Sequence, residues 1–191
     1  MKTRTTIAGV TLALTLAAPP HLLAQRERTL VGRDVEHGGF AAAVFKGSAV
    51  ADQFAGFVGG RAAWVLNHVF ALGAGGYWMA GGVDVPAASG GEDGLDMWYA
   101  GAELEFINDW SQVYHITFLT LVGGGAIEAG GESDGIWAVE PALNMEVNIA
   151  PWFRLYYGGG YRFVWGADLP GGDSGDLSQF FGHVGLKFGS F

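Results

Sequence analysis

The chain contains no cysteine, so it forms no disulfide bond and carries no lipid-modified N-terminal cysteine. Charge is also scarce: only 15% of the 191 residues are charged, against roughly 25% in a typical soluble domain. Basic residues are the rarer kind, with 10 Lys and Arg against 19 Asp and Glu. Because nucleic-acid phosphates are bound by basic surfaces, this balance argues against nucleic acid as a partner.

Long apolar runs are absent too, except near the N-terminus. Lys2 and Arg4 precede an apolar run at 7–18, which is followed by small residues. The run is shorter than the roughly 18–20 residues of a spanning helix, and the arrangement is typical of a secretory signal peptide. We therefore predict that residues 1–24 are a signal peptide, that the mature chain is exported, and that residues 25–37 form a short polar stretch before the fold begins.

The chain is rich in glycine, and its hydrophobic residues alternate with polar or small ones. It contains 33 glycines, yet half of its residues are hydrophobic. The segment 138–149 alternates apolar residues with polar or small ones, which is the period of a β-strand with two different faces. Eight strand-like segments follow one another, at 39–46, 54–67, 70–80, 97–107, 113–126, 136–149, 153–165 and 180–188.

The connections between these segments alternate in kind. Three are short, at 67–68, 107–112 and 150–152. Three others are long, acidic and rich in glycine, at 81–96, 128–135 and 166–179. Short turns at one end, longer loops at the other and an even strand number are typical of barrels that cross the outer membrane.

The two faces of the segments differ in chemistry. Alternate residues of each segment form one face, which carries large apolar side chains and, from residue 54 onward, no charged residue. The residues between them form the other face, which holds small residues with four cations and four carboxylates. Since an eight-stranded barrel is only just wide enough inside for side chains, we expect the apolar face to meet lipid and the polar face to fill the lumen. The predicted structural lumen network comprises Arg61, Glu103, Glu105, His115, Glu140, Asn144, Glu146, Asn148, Arg154, Arg162, His183 and Lys187.

Aromatic residues on the apolar parity recur eight residues apart, as at Phe70 and Trp78. Eight residues span about 26 Å of strand, or ~19–20 Å of height once the strands tilt, close to the ~25 Å apolar band of a membrane barrel. We predict two aromatic girdles at the membrane interfaces. The first, toward the long loops, comprises Trp78, Trp98, Trp137, Trp165 and Phe180, and the second, toward the short turns, comprises Phe70, Phe106, Tyr114, Phe153 and Phe188.

Together these features resemble the small outer-membrane barrels of the OmpA/OmpX type, over the whole mature chain at 25–191. The resemblance implies an all-β, eight-stranded, antiparallel up-and-down transmembrane β-barrel with a charged, packed lumen, in the outer membrane of a Gram-negative cell, with residues 25–37 in the periplasm. It also implies contact with outer-membrane lipid and lipopolysaccharide. In such barrels a C-terminal aromatic residue is read by the barrel-insertion machinery, and Phe191 matches it, although it is out of phase with Phe188.

The expected function is structural or interactive: a monomeric barrel with acidic surface loops and no catalytic residue, cofactor or metal site. One alternative is a lipid-modifying enzyme, which would need a Ser–His pair near the interface; the serines all fall in connections or chain termini, and none lies inside a predicted strand. Another is a narrow, porin-like pore. A third is a secreted soluble barrel that binds an apolar ligand inside.

Overall fold

The computed structural model describes residues 35–86, 92–169 and 172–191. The predicted signal peptide at 1–24 and most of the stretch at 25–37 lie outside the described residues. No helix in the described ranges is long and apolar enough to cross a membrane. The elements are, in chain order, β1 (His37–Val50), β2 (Gln53–Leu66), β3 (Phe70–Met79), β4 (Val83–Pro86), β5 (Glu92–Ile107), β6 (Tyr114–Ala129), β7 (Glu132–Ala150), β8 (Phe153–Tyr161), β9 (Phe163–Trp165), β10 (Asp168–Leu169), β11 (Gly172–Asp173), α1 (Ser174–Leu177) and β12 (Phe180–Ser190).

The eight long strands form a closed antiparallel ring. Each pairs with the next along the chain, from β1 through β2, β3, β5, β6, β7 and β8 to β12. β12 then pairs back onto β1, with Gly39 opposite Ser190 and Ser48 opposite Phe181. Closure pairs the backbone groups between strands, which is the condition for a β-structure to lie in lipid. The predicted eight-stranded up-and-down barrel is confirmed.

The two ends of the barrel differ. We call the end with the β2–β3, β5–β6 and β7–β8 connections the turn end, and the opposite end the loop end. At the turn end, Asn67 and His68 both adopt left-handed backbone angles, with φ of 51° and 58°, and so reverse the chain within a few residues. The first strand enters and the last strand leaves at this same end.

At the loop end the strands extend further than the sequence predicts. The segment 128–135 is not a long loop, because β6 and β7 continue to a two-residue turn at Gly130 and Gly131, with φ of 58° and 84°. The physical reason is that Ile127 and Ile136 point inward and are buried, so the alternation continues past the predicted girdle. Of the acidic residues that suggested a loop, Glu128 lies on the outer face of β6 and Glu132 stands beside the turn, whereas Asp134 lies opposite Ile127 and accepts a hydrogen bond from the Asp168 N–H at 2.9 Å.

The predicted strand 153–165 is interrupted at Arg162, which separates β8 from β9. β7 pairs with β8 as far as Ala142 opposite Gly160, and the pairing resumes at Val139 opposite Phe163. Pro141 lies between these pairs and has no N–H to donate to the ladder. The Arg162 backbone N–H instead donates to the Gln179 carbonyl at 2.9 Å.

Between β9 and β12, the hairpin β10–β11 and the single turn α1 cover the loop end. Leu177 of α1 is fully buried, and the Ala51 N–H donates to the Asp176 carbonyl at 3.3 Å. Beneath α1 the interior is mostly apolar apart from Arg162, whereas charged side chains dominate toward the turn end. The buried apolar residues of the loop-end half include Val50, Phe57, Val83, Val85, Leu95, Met97, Ile127, Ile136 and Val164.

Candidate functional site

Large apolar side chains cover the outside of the barrel. In the loop-end girdle, Trp78 stands opposite Trp98, and Trp137 stands opposite Trp165, on neighbouring strands. All ten predicted girdle residues point outward: Phe70 and Phe153 are half-buried against neighbouring rings, and the rest are exposed. At the turn end the Phe70 and Phe106 ring centroids lie 5.5 Å apart, and those of Phe153 and Phe188 lie 4.9 Å apart.

Eleven of the twelve predicted lumen residues are buried inside the barrel. The exception is Asn148, which is half-buried at the turn end. Its amide donates to the carbonyls of Trp110 at 2.9 Å and Gln112 at 2.8 Å, so it holds the β5–β6 connection. The eleven buried residues are Arg61, Glu103, Glu105, His115, Glu140, Asn144, Glu146, Arg154, Arg162, His183 and Lys187.

The turn-end half of the lumen contains a continuous chain of ion pairs. Arg154 donates to Glu146 at 2.9 Å, and Lys187 bonds both to Glu146 and, at 2.9 Å, to Glu105. Glu105 also accepts from Arg61 at 3.0 Å, and Arg61 pairs in turn with Glu103. Because carboxylates and cations alternate along this chain, each buried charge has an opposite charge beside it.

Tyrosines extend the chain toward the loop end. The Tyr77 hydroxyl donates to Glu103 at 3.0 Å, and the Lys46 ammonium lies 3.3 Å from the Tyr77 ring centroid. Lys46 pairs with Glu140, which also accepts from the Tyr99 hydroxyl at 2.6 Å. An ammonium over an aromatic ring is attracted by the negative face of the ring, so Tyr77 contacts both signs of charge.

We call this whole series the charge ladder. With Arg162, whose guanidinium carbon lies 5.9 Å from the Tyr99 ring centroid, it contains five cations and four carboxylates, and an arginine stands at each end. Lys46 is the cation that the sequence did not predict for this face, because it lies in β1, ahead of the segments from residue 54 onward on which the four predicted cations lie. In order from the turn end, the ladder runs Arg154, Glu146, Lys187, Glu105, Arg61, Glu103, Lys46, Glu140 and Arg162.

Arg162, the loop-end member, has no carboxylate partner among the described residues. Its side chain donates to the Leu177 carbonyl of α1 at 3.0 Å and to the Ser48 hydroxyl at 3.3 Å. The guanidinium carbon also lies 4.8 Å from the Phe57 ring centroid. Among the described residues, Arg162 therefore takes no part in the mutual salt bridges expected of it and instead attaches α1 to the barrel.

The lumen contains more aromatic rings than the sequence predicts. Phe57, Tyr77, Tyr99 and Tyr156 are almost fully buried there, whereas small residues were expected beside the charges. The sequence does contain a signal for these buried rings: each ring immediately follows or precedes an outward-facing apolar residue, and neighbours on a strand face opposite sides. Glycine makes part of the space: the Tyr77 hydroxyl and the Glu103 carboxylate lie directly over Gly75, which is on the same strand as Tyr77 and on the strand next to Glu103.

Among the described residues, no serine hydroxyl contacts a histidine, so these residues form no nucleophilic pair. Ser48, Ser133 and Ser190 lie within strands, whereas the sequence predicted every serine outside the strands. His115 lies 3.4 Å from Glu146, and His183 bonds to Asn144 at 2.6 Å. Within the same described ranges, no three or more His, Asp or Glu side chains group as metal ligands would.

Comparison with known proteins relates the chain to others by its fold. No family model matches it, and no curated protein matches it. The N-terminal β-barrel domain of Pseudomonas aeruginosa OprF superposes with a TM-score of 0.50 and 11% identity, over 82% of this chain and 99% of that domain. Neisserial surface protein A (NspA) superposes with a TM-score of 0.50 and 12% identity, over 81% of this chain and 98% of that protein. The chain therefore has the fold of the small eight-stranded outer-membrane β-barrels.

Proposed function

We propose that the chain is an outer-membrane β-barrel protein with a structural or interaction role, exported by its N-terminal signal peptide. The observation that carries this proposal is a closed barrel whose exterior bears many exposed Trp, Phe and Leu side chains, while the residues of the charge ladder are buried inside. Exposed apolar surface of this extent is unfavourable in water, whereas it is matched to lipid. The two aromatic girdles stand where the bilayer interfaces would be.

The loop end faces the cell exterior in this proposal. Beyond the girdle, the outer faces of β5 and β6 present Asp96 and Glu128, which stand directly opposite each other on neighbouring strands. Both side chains are exposed, so divalent cations shared with lipopolysaccharide phosphates would relieve their repulsion. The turn end then faces the periplasm, with Phe191 available to the barrel-insertion machinery as the chain is assembled.

The role we propose is non-catalytic and non-conducting, and the barrel acts as a monomer. Buried side chains fill the lumen from Arg154 to α1, and the charges among them pair with one another, except for Arg162, which bonds to α1 and Ser48. A packed interior supports a scaffold for surface loops better than it supports a water-filled path.

Fractionation of cells that express the full chain tests the proposal. We expect recovery in the outer membrane, and a folded band that migrates differently from the boiled band on a denaturing gel. Recovery as a soluble periplasmic protein would contradict the proposal and would favour a barrel that encloses an apolar ligand. Steps of conductance in a planar bilayer would instead indicate a pore.

A further inference from the structure

The charge ladder ends in a different environment at each end of the barrel. At the loop end, Arg162 is covered by α1 and bonded to a carbonyl of that turn. At the turn end, Arg154 opens on a cavity of about 430 Å³, which includes Trp110, Ser111, Asn148, Pro151 and Phe191 among its lining residues. One cation of the ladder is in excess over the carboxylates, and only the turn end leaves a guanidinium beside open space.

Arg154 is held in place but retains free donor capacity. The residue is only 5% exposed, and among the described residues its side chain makes one hydrogen bond, from Nη1 to Glu146 at 2.9 Å. The Phe191 ring covers one face of the guanidinium, 3.8 Å from its central carbon. A guanidinium has five N–H donors in a planar fork, so the edge that does not bond to Glu146 remains for a second anion.

Asn148 supplies an acceptor beside this cation. It stands directly opposite Arg154 on the neighbouring strand, so both side chains reach the same cavity. Its Nδ2 is fixed by the carbonyls of Trp110 and Gln112, while its buried Oδ1 has no hydrogen-bond partner. An unpaired buried acceptor is unfavourable, and a ligand N–H would satisfy it.

The apolar wall of the cavity is also preorganised. Trp110 stacks on His68 with ring centroids 4.0 Å apart, and its carbonyl is held by Asn148. Pro151 and Phe191 line the cavity with it. A rigid wall of this kind loses little conformational entropy when an apolar group binds.

We propose that this cavity is a binding site for a peptide carboxylate: Arg154 binds the carboxylate, Asn148 Oδ1 accepts the adjacent amide N–H, and Trp110, Pro151 and Phe191 contact an apolar side chain. The ligand needs a negative charge, an amide donor and an apolar group within one residue, which a peptide C-terminus provides. A bare inorganic anion has only the first of these. The site does not depend on the membrane placement proposed above, since it requires only the folded barrel.

Titration calorimetry on the folded full-length barrel in micelles tests the site, with N-acetyl-L-leucine as the probe. We expect saturable binding of the acid and at least a tenfold weaker response to N-acetyl-L-leucine amide, because the amide lacks the negative charge that Arg154 binds. Equal binding of acid and amide, no saturable binding of the acid, or phosphate binding as tight as the acid would each overturn the proposal. This comparison needs no variant and so does not depend on whether a mutant folds.

Two variants locate the site. Arg154→Gln should weaken binding of the acid about tenfold or more, while Ser111→Trp should block the cavity from an exposed loop position without changing the ladder. Glu128→Gln, on the outer face of β6, is the matched control and should bind like the parent. If Ser111→Trp binds the acid as tightly as the parent does, the ligand lies elsewhere and the assignment is wrong.

Discussion

Glu105 is the carboxylate with the most partners in the charge ladder. It accepts hydrogen bonds from Arg61, from Lys187 and, at 2.8 Å, from the Thr117 hydroxyl. The residue is completely buried, so these bonds replace its hydration. Removing one member of a buried ion pair is costly because the remaining charge keeps its desolvation penalty without its partner.

We expect Glu105→Gln to lower the free energy of unfolding by about 3 kcal/mol, near the lower end for a broken buried pair. The lower end applies because Arg61 retains Glu103 and Lys187 retains Glu146. Urea unfolding in lipid vesicles, followed by tryptophan fluorescence, measures the change. Glu128→Gln on the exposed outer face is the control and should remain within about 0.5 kcal/mol of the parent. Equal midpoints for the two variants would show that the ladder is not energetically important.

At the scale of elements, a layer of small residues sets how closely the strands can approach. Gly75, Gly101, Gly123 and Ala138 stand opposite one another across β3, β5, β6 and β7. A Cβ on Gly123 would overlap the Ala100 carbonyl on the neighbouring strand. Since the overlap is with backbone, the clash can be relieved only by moving the strands apart.

We expect Gly123→Ala to destabilise the β5–β6 pair by about 1–3 kcal/mol, as overpacking does in a filled core. Gly135→Ala is the matched control, because a Cβ there meets no atom within 4 Å. Refolding each variant into micelles and comparing the fraction with folded mobility on an unboiled gel gives the measurement. A folded fraction for Gly123→Ala equal to that of Gly135→Ala would mean that the layer tolerates side chains.

For the whole molecule, the decisive property is that its apolar surface faces outward. Leu143 illustrates this: it lies on β7 between the two girdles and is 57% exposed. In water an exposed leucine can be replaced by arginine at little cost, whereas at the middle of a bilayer the guanidinium would have to leave its hydration shell.

We expect Leu143→Arg to cost about 2–4 kcal/mol in lipid vesicles. Asp96→Arg, placed beyond the loop-end girdle, should change the free energy of unfolding little. The measurement is unfolding by denaturant in vesicles, with both variants compared to the parent. If the two substitutions have the same small effect, the surface around Leu143 is hydrated and the barrel does not lie in lipid at that height.

The sequence alone was sufficient for the barrel and for which face of each strand points outward. Each strand separates two environments, so its residues alternate in chemistry along the sequence. The eight segments, and which residues of each face outward, could therefore be predicted before any strand pairing was known. The same reasoning predicted that Trp98 and Phe106 share a face. Misplaced boundaries fell at the loop end, where the acidic residues within β5, β6 and β7 resembled loop composition.

Only the tertiary structure decided which charges meet and what remains unpaired. Lys187 and Glu105 are 82 residues apart in sequence, and their contact depends on strand tilt, stagger and ring closure, none of which alternation encodes. For the same reason, parity could place Arg162 inside but could not show that it bonds to α1 instead of a carboxylate. The sequence determined the face on which each residue lies because that depends on local backbone geometry; the partners were decided by closure of the barrel, which brings distant strands together.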